Sequence, residues 1–357
     1  MTLIIAEAGV NHNGDEDLAF KLVDVAFEAG ADIVKFQTFK ASNVLTAAAE
    51  QADYQISNTK RKESQLAMLS RLELSFDFHL KLVEHCKNVG IEFLSTAFDS
   101  ESLNFLVNDL KLKKLKIPSG DLTNSPLLLK HAQTGSDLIV STGMASLAEI
   151  EMALGVIAFG FVATETKEPS VQAFEDAYFS GCGQAALREK VTLLHCTTEY
   201  PAPLRDINLA AMETMSKAFK LPVGYSDHSA GIHVPIVAAA FGAQIVEKHF
   251  TLDRAMTGPD HKASLAPGQL AEMIRGIRDI ELAIGDGIKG PRHSEIKNRP
   301  VARKSLVAQQ SISKGDVFSE RNLAIKRPGL GMSPTEYWGL LGREASQDYQ
   351  FGDLINE

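Results

Sequence analysis

Residues 223–250 read VGYSDHSAGIHVPIVAAAFGAQIVEKHF. A short strand-like run at 223–226 gives way to a helix-like stretch at 231–241 and then to a second strand-like run at 245–250. Both open on apolar residues, and strands that are apolar without alternation mark a sheet buried on both faces. Both also end in polar residues: Ser226 and His228 on the first, His249 on the second. Strand, helix and strand in this rhythm make one parallel β-α-β unit.

The rhythm extends upstream. Six more strand candidates fall at 3–8, 33–37, 92–96, 114–117, 138–142 and 191–197, and helix-like segments lie between them at 15–28, 76–88, 147–158 and 211–219. With the two strands above they make eight, the number that closes a (β/α)8 TIM barrel. An open doubly wound sheet is the alternative, but the glycine-rich dinucleotide fingerprint that often accompanies it is missing. The expected fold is α/β, with a TIM barrel over residues 1–285. The strand ends carry Glu7, Lys35 with Gln37, Ser95 with Thr96, Lys116 with Ser119, Ser141 with Thr142, Thr197, Ser226 with His228, and His249. In a barrel enzyme the loops that follow the strands converge on one rim, and the active site lies there.

Beyond Gly285 the texture changes. Residues 286–300 are dense in glycine, proline and charge and read as a linker. Residues 301–357 break into short β-type runs, as expected of a small β-rich domain that buries little core of its own. Two insertions interrupt the barrel: 47–74, helical in its later part, and 161–190, a weakly patterned surface excursion. The formal net charge of −9 disfavours a nucleic-acid surface, so an anionic ligand must be held by a few local cations. Three cysteines without a CxxC spacing favour neither a disulfide framework nor a zinc ribbon, and a cytoplasmic setting is expected. The N-terminus lacks a basic leader region, and the best membrane-span candidate, 234–246, is shorter than the ~20 residues a span needs.

Glu7, in EAGVNHNG, is a candidate acid, base or hydroxyl ligand at a strand end, although a turn and helix-cap cluster is the simpler reading of its neighbours. His228 and His249 end consecutive strands and could share a divalent ion, leaving positions open for water and substrate. Such a mixed nitrogen and oxygen site suits Mn²⁺ or Mg²⁺ better than structural zinc. Asp227 and Glu247 would orient these ligands or merely decorate the rim. Lysine rarely occupies a strand interior unpaired, so Lys35 and Lys116, with Ser119, Ser141, Thr142 and Ser226 nearby, point to a phosphate or carboxylate. No P-loop is present. His79, His85, His131 and His293 are expected to be solvated, His195 to be a hydrogen-bonded core residue, and Cys196 to be packing. His233 and His261 are left open.

Nine ordered stretches then carry a resemblance over nearly the whole chain: IIAEAGVNHNG, DIVKFQTFKA, FLSTAFD, LKIPSGDLTNSP, IVSTGMAS, LLHCTTEYPAP, VGYSDHSAG, EKHFTLD with GPDHKAS, and RKSLVAQQSISKGDVFSERNLAIKRPG. The chain resembles the sialic acid, or nonulosonic acid, synthases, and its last part resembles their antifreeze-like (SAF) domain. The resemblance implies condensation of phosphoenolpyruvate with N-acetylmannosamine to give N-acetylneuraminate and phosphate, with C–O cleavage. The related alternative makes N,N′-diacetyllegionaminate from 2,4-diacetamido-2,4,6-trideoxymannose. By the same resemblance His228 and His249 would bind Mn²⁺, or Mg²⁺. Lys35, Thr96, Lys116, Ser119, Ser141 and Ser226 would hold phosphoenolpyruvate, and Glu7 would be catalytic. Gln37, Asp121, Tyr200 and Asp260 would contact the sugar. Arg327 would reach the sugar from a partner chain in a domain-swapped homodimer. Two positions depart from the common pattern: Asp121 stands where many bacterial members have Glu, and Thr198 where some have Asn. A metal-dependent pyruvate aldolase and a non-catalytic carbohydrate-binding protein on a decayed barrel are the competing readings.

Overall fold

The computed structural model describes residues 1–164 and 167–357. The chain divides into two units, Met1–Gly285 and Asp286–Glu357. The first is a closed barrel of eight parallel strands: β1 (Leu3–Gly9), β2 (Ile33–Thr38), β3 (Glu92–Ala97), β4 (Lys114–Ile117), β5 (Asp137–Ser141), β6 (Val191–Cys196), β7 (Val223–Asp227) and β8 (Ile245–His249). β8 returns to pair with β1, with Glu7 opposite His249. Local chemistry sets the helix boundaries. The carboxylate of Asp15 caps Glu16–Glu28 by accepting from Leu18 N, and Ser75 caps Phe76–Val89, which Gly90 ends in the left-handed conformation.

Strand periodicity builds the interior in layers. Ile5, Ile33, Leu94, Ile139, Leu194 and Ile245 point inward and pack together as an apolar floor. Two residues further along the same strands come Glu7, Lys35, Thr96, Ser141, Cys196 and Glu247, so the interior turns polar in one step. The opposite parity faces the helices, where one large apolar cluster fills the space. Asp227 and Lys248 lie on that outward face and are completely buried. Lys248 Nζ sits 2.6 Å from Asp227 Oδ2 and also donates to the Ser229 carbonyl; Tyr225 Oη donates to Asp227 Oδ1 at 3.1 Å. Removing one partner of such a pair strands a charge in the interior. Lys248→Met is therefore expected to cost about 3 kcal/mol of stability, read by chemical denaturation.

Some expectations need correction. His79 and His131 are fully buried, not solvated. Thr38 Oγ1 and the Ser75 carbonyl bracket the His79 ring; the Leu127 carbonyl takes a hydrogen bond from His131 Nδ1, while His131 Nε2 is buried without a partner. His85 is half-buried against Asp24. The 161–190 insertion is more ordered than its pattern suggested. The preceding helix runs on as Leu147–Val162, and helices Val171–Phe179 and Gly181–Lys190 follow; residues 165 and 166 of the insertion lie outside the described residues. Among the described residues no helix is long and apolar enough to cross a membrane.

The second unit has its own small core, which includes Leu306, Ile312, Phe318, Leu340 and Tyr349. Its only strand ladder among the described residues is the antiparallel pair β9 (Ser305–Ala308) and β10 (Leu323–Lys326), supplemented by single bridges such as Ile312 with Tyr349. Residues 286–300 contain the one-turn helix His293–Ile296 and the start of another, Arg299–Ala302.

Candidate active site

The polar layer above the apolar floor opens into a cavity of about 260 Å³ at the C-terminal rim of the barrel. Twelve of the fourteen residues singled out from sequence line it: Glu7, Lys35, Gln37, Thr96, Lys116, Ser119, Ser141, Tyr200, Ser226, His228, His249 and Asp260. Asp121 is not among its walls, and its carboxylate accepts from Asn124 instead. Arg327 belongs to the second unit, where its guanidinium donates to the Ala302 carbonyl. The lining also includes Thr198 and Glu247 and a group from the loops after β1, β2 and β3: Val10, Tyr54, Gln55, Met68, Leu69 and Phe98.

Glu247 is the residue sequence reasoning undervalued. Its parity in β8 is that of His249 and opposite to that of Lys248, which places it inside the barrel. There it lies between the two lysines, 3.6 Å from Lys35 Nζ and 3.5 Å from Lys116 Nζ, and accepts from Ser226 at 3.0 Å. Lys35 is shared further: Glu7 Oε2 is 2.7 Å away and Thr96 Oγ1 3.1 Å. The two carboxylates consequently behave differently. Burial pushes the Glu7 carboxyl up to about 7, against the pull of Lys35. Burial acts on Glu247 too, but Lys116 and Lys35 overcome it and hold that carboxyl well below its usual range. One carboxylate is thus fixed as a counter-ion while the other is poised to exchange a proton near neutrality. Burial also lifts Asp260, to about 6.

Burial pulls the Lys116 ammonium down, and at 3.5 Å its carboxylate neighbour is not close enough for a strong hydrogen bond. The cation keeps unused capacity for an anion. Hydroxyls surround the same region. Ser141 Oγ is buried with no hydrogen-bond partner, and Ser119 Oγ accepts from Gly143 N at 3.0 Å while lying 3.2 Å from Cys196 Sγ. An orphaned hydroxyl and a spare ammonium in one pocket suit a phosphate or carboxylate.

The histidine pair meets the requirements for sharing an ion. Their ring centroids are 5.6 Å apart, within the roughly 5–6 Å that two imidazoles on one divalent ion at ~2.1 Å would show. His228 Nδ1 donates to the Thr197 carbonyl at 2.7 Å, which leaves its other nitrogen with a free lone pair. His249 Nδ1 is buried with no hydrogen-bond partner. Burial holds both rings below their usual basicity, so both stay neutral, as ligands must be. Room for the second ring comes from Gly9, at φ +53°, where β1 bulges between Glu7 and Gly9; a Cβ there would lie 3.3 Å from His249 Cε1. Among the described residues no cluster of three or more His, Cys, Asp or Glu is placed to cage a metal, so further positions on a shared ion would fall to water or substrate. Tyr200 stacks over His228 at 4.2 Å, and Tyr54 over Tyr200 at 5.3 Å.

Comparison with known proteins identifies a family. The model of the NeuB family matches residues 22–289. The chain is 50% identical to an N,N′-diacetyllegionaminic acid synthase of Campylobacter jejuni, over all of this chain and 99% of that one. It is 43% identical to a synthase of the same name from Legionella pneumophila, over 99% of this chain and 92% of that one. A crystal structure of N-acetylneuraminic acid synthetase from Leptospira borgpetersenii is 32% identical, with a TM-score of 0.65 over 83% of this chain and 90% of that one. Full-length similarity at this level, on a barrel whose rim gathers paired lysines, carboxylates and histidines, leads to one assignment: the chain belongs to the NeuB family and is a phosphoenolpyruvate-dependent nonulosonic acid synthase.

Proposed function

We propose that the chain condenses phosphoenolpyruvate with 2,4-diacetamido-2,4,6-trideoxymannose to give N,N′-diacetyllegionaminate and phosphate. The observation that carries this reading is the full-length identity of 50% and 43% to two legionaminic acid synthases, against 32% to a neuraminic acid synthetase. It displaces the expectation of N-acetylneuraminate, which rested on motifs common to both branches. The test is phosphate release from phosphoenolpyruvate with each aldehyde offered separately. Release with the diacetamido sugar and little with N-acetylmannosamine is the expected result; the reverse order would return the assignment to neuraminate.

In this reading Lys116 and Lys35, with Ser119, Ser141 and Ser226, hold the phosphate and carboxylate of the enol. Thr96 braces Lys35. Glu247 keeps both ammonium groups charged and in place between substrate visits. Gln37, Tyr200 and Asp260 face the sugar, and Glu7 moves the proton that the carbonyl oxygen gains or the attacking water loses. His228 and His249 would hold a divalent ion such as Mn²⁺, which when bound supplies Lewis-acid polarisation of the aldehyde. Chelation is therefore expected to lower turnover by at least ~100-fold and Mn²⁺ to restore it. A His249→Ala variant should show weakened Mn²⁺ binding by electron paramagnetic resonance as well as lost activity.

We propose further that the chain works as a homodimer in which Arg327 of one copy meets the sugar of the other. Arg327→Ala is expected to raise the sugar KM by roughly 10-fold or more, the worth of a charged hydrogen bond, with little change for phosphoenolpyruvate. Mixing it with His249→Ala under subunit exchange should recover part of the activity, and mixtures that stay inactive would count against shared sites.

A further inference from the structure

The closed order of the barrel puts two kinds of wall on opposite sides of the cavity. The sector from β4 to β7 supplies Ser119, Ser141, Thr198 and Ser226 with Lys116, all hydrogen-bonding or charged. The loops after β1, β2 and β3 supply Val10, Met68, Leu69 and Phe98, with Tyr54 and Gln55 beside them. These four belong to one small apolar cluster in which Val10 and Met68 are buried and Leu69 and Phe98 half-buried. Their only heteroatom is the Met68 sulfur, already engaged by Gln51 Nε2 at 3.2 Å. The segment carrying Met68 and Leu69 lies in the 47–74 insertion, where the helix Asp53–Thr59 is pinned across the mouth by Asn58 donating to the Pro259 carbonyl at 2.7 Å.

These four side chains have nothing to offer a primary hydroxyl or a phosphate, and Gln55 beside them is engaged by Ala52 N at 2.9 Å and by Tyr54. A hydroxyl buried against it would lose its water partners uncompensated, at a cost of about 1–3 kcal/mol. A methyl group would gain. We infer that Val10, Met68, Leu69 and Phe98 form the subsite for the C6 methyl of the acceptor sugar and make the enzyme selective for 6-deoxy aldehydes over their 6-hydroxy counterparts. This inference rests on the diacetamido-sugar reading above and adds to it the residues that enforce the choice at C6.

The decisive comparison uses two aldehydes that differ only at that carbon: 2,4-diacetamido-2,4,6-trideoxymannose and 2,4-diacetamido-2,4-dideoxymannose. The wild-type enzyme is expected to favour the 6-deoxy sugar in kcat/KM by roughly 10–200-fold, the range one small group commands in an apolar pocket. Leu69→Gln should cut that preference at least about tenfold by offering the hydroxyl a partner. Val10→Thr, which adds a hydroxyl with little change in shape, should shift it the same way, and thermal melts would verify that both variants are folded. The inference is overturned if the wild type accepts both sugars within about threefold, or if the variants weaken both in equal proportion. Phosphate release with N-acetylmannosamine but with neither diacetamido sugar would instead mark failure of the substrate reading itself, and the subsite would fall with it.

Discussion

Lys116→Met is expected to reduce kcat/KM for phosphoenolpyruvate by about 10³-fold, the loss that follows when a buried charged contact worth roughly 3–5 kcal/mol is deleted. The cavity contains two ammonium groups and three carboxyls, one held ionised, one near its midpoint and Asp260, lifted to about 6. The lysines therefore carry all the attraction its side chains offer an incoming anion. Without Lys116 the balance tips against the anion, because Lys35 alone must then serve Glu7, Glu247 and the incoming phosphate. Arginine should not rescue the position. Its wider, planar head needs room that a side chain only 3% exposed does not have. Steady-state kinetics and calorimetric titration of phosphoenolpyruvate provide the check, and near-normal affinity in the methionine variant would remove Lys116 from the anion subsite.

Glu7→Gln is expected to separate binding from turnover. The amide keeps the shape and accepts a hydrogen bond from Lys35, but it cannot take or give a proton. kcat should fall by roughly 10²–10⁴-fold, the usual share of a positioned acid or base. Phosphoenolpyruvate should bind as well as before or more tightly, since one negative charge has left the cavity. A variant that loses binding and retains kcat would assign Glu7 to substrate holding instead.

Much of this architecture was legible in the sequence because burial on both faces leaves a simple trace. Strands such as 33–37 and 138–142 open on apolar residues without alternation, and a lysine set among apolar neighbours, as in IVK and LKI, stands out. Glu247 was legible in principle: period two groups it with Ile245 and His249, and separates all three from Lys248. Taking the charged pair together as rim decoration concealed both the interior counter-ion and the outward salt bridge to Asp227. Helical spacing likewise places His79 in line with Leu82 and Cys86 on one buried face, a sign overlooked in expecting it to be solvated. The apolar wall was not legible. Leu69 and Met68 reach the cavity only because a contact such as Asn58 to Pro259, 201 residues apart, folds the insertion over the mouth. No local pattern encodes that. The choice of acceptor sugar was hidden too, because the strand-end motifs are common to both branches.

The bulge in β1 has a consequence for engineering. Gly9 combines a left-handed backbone with the edge of an imidazole ring, so a larger residue there meets a torsional cost and pushes on the ring of His249. A saturation library at that codon should return active clones strongly enriched in glycine. Libraries at the cavity-facing positions of 47–74, such as Leu69, are expected to redirect the enzyme toward new acceptors, which makes evolvability in this barrel a property of the lid and not of the floor.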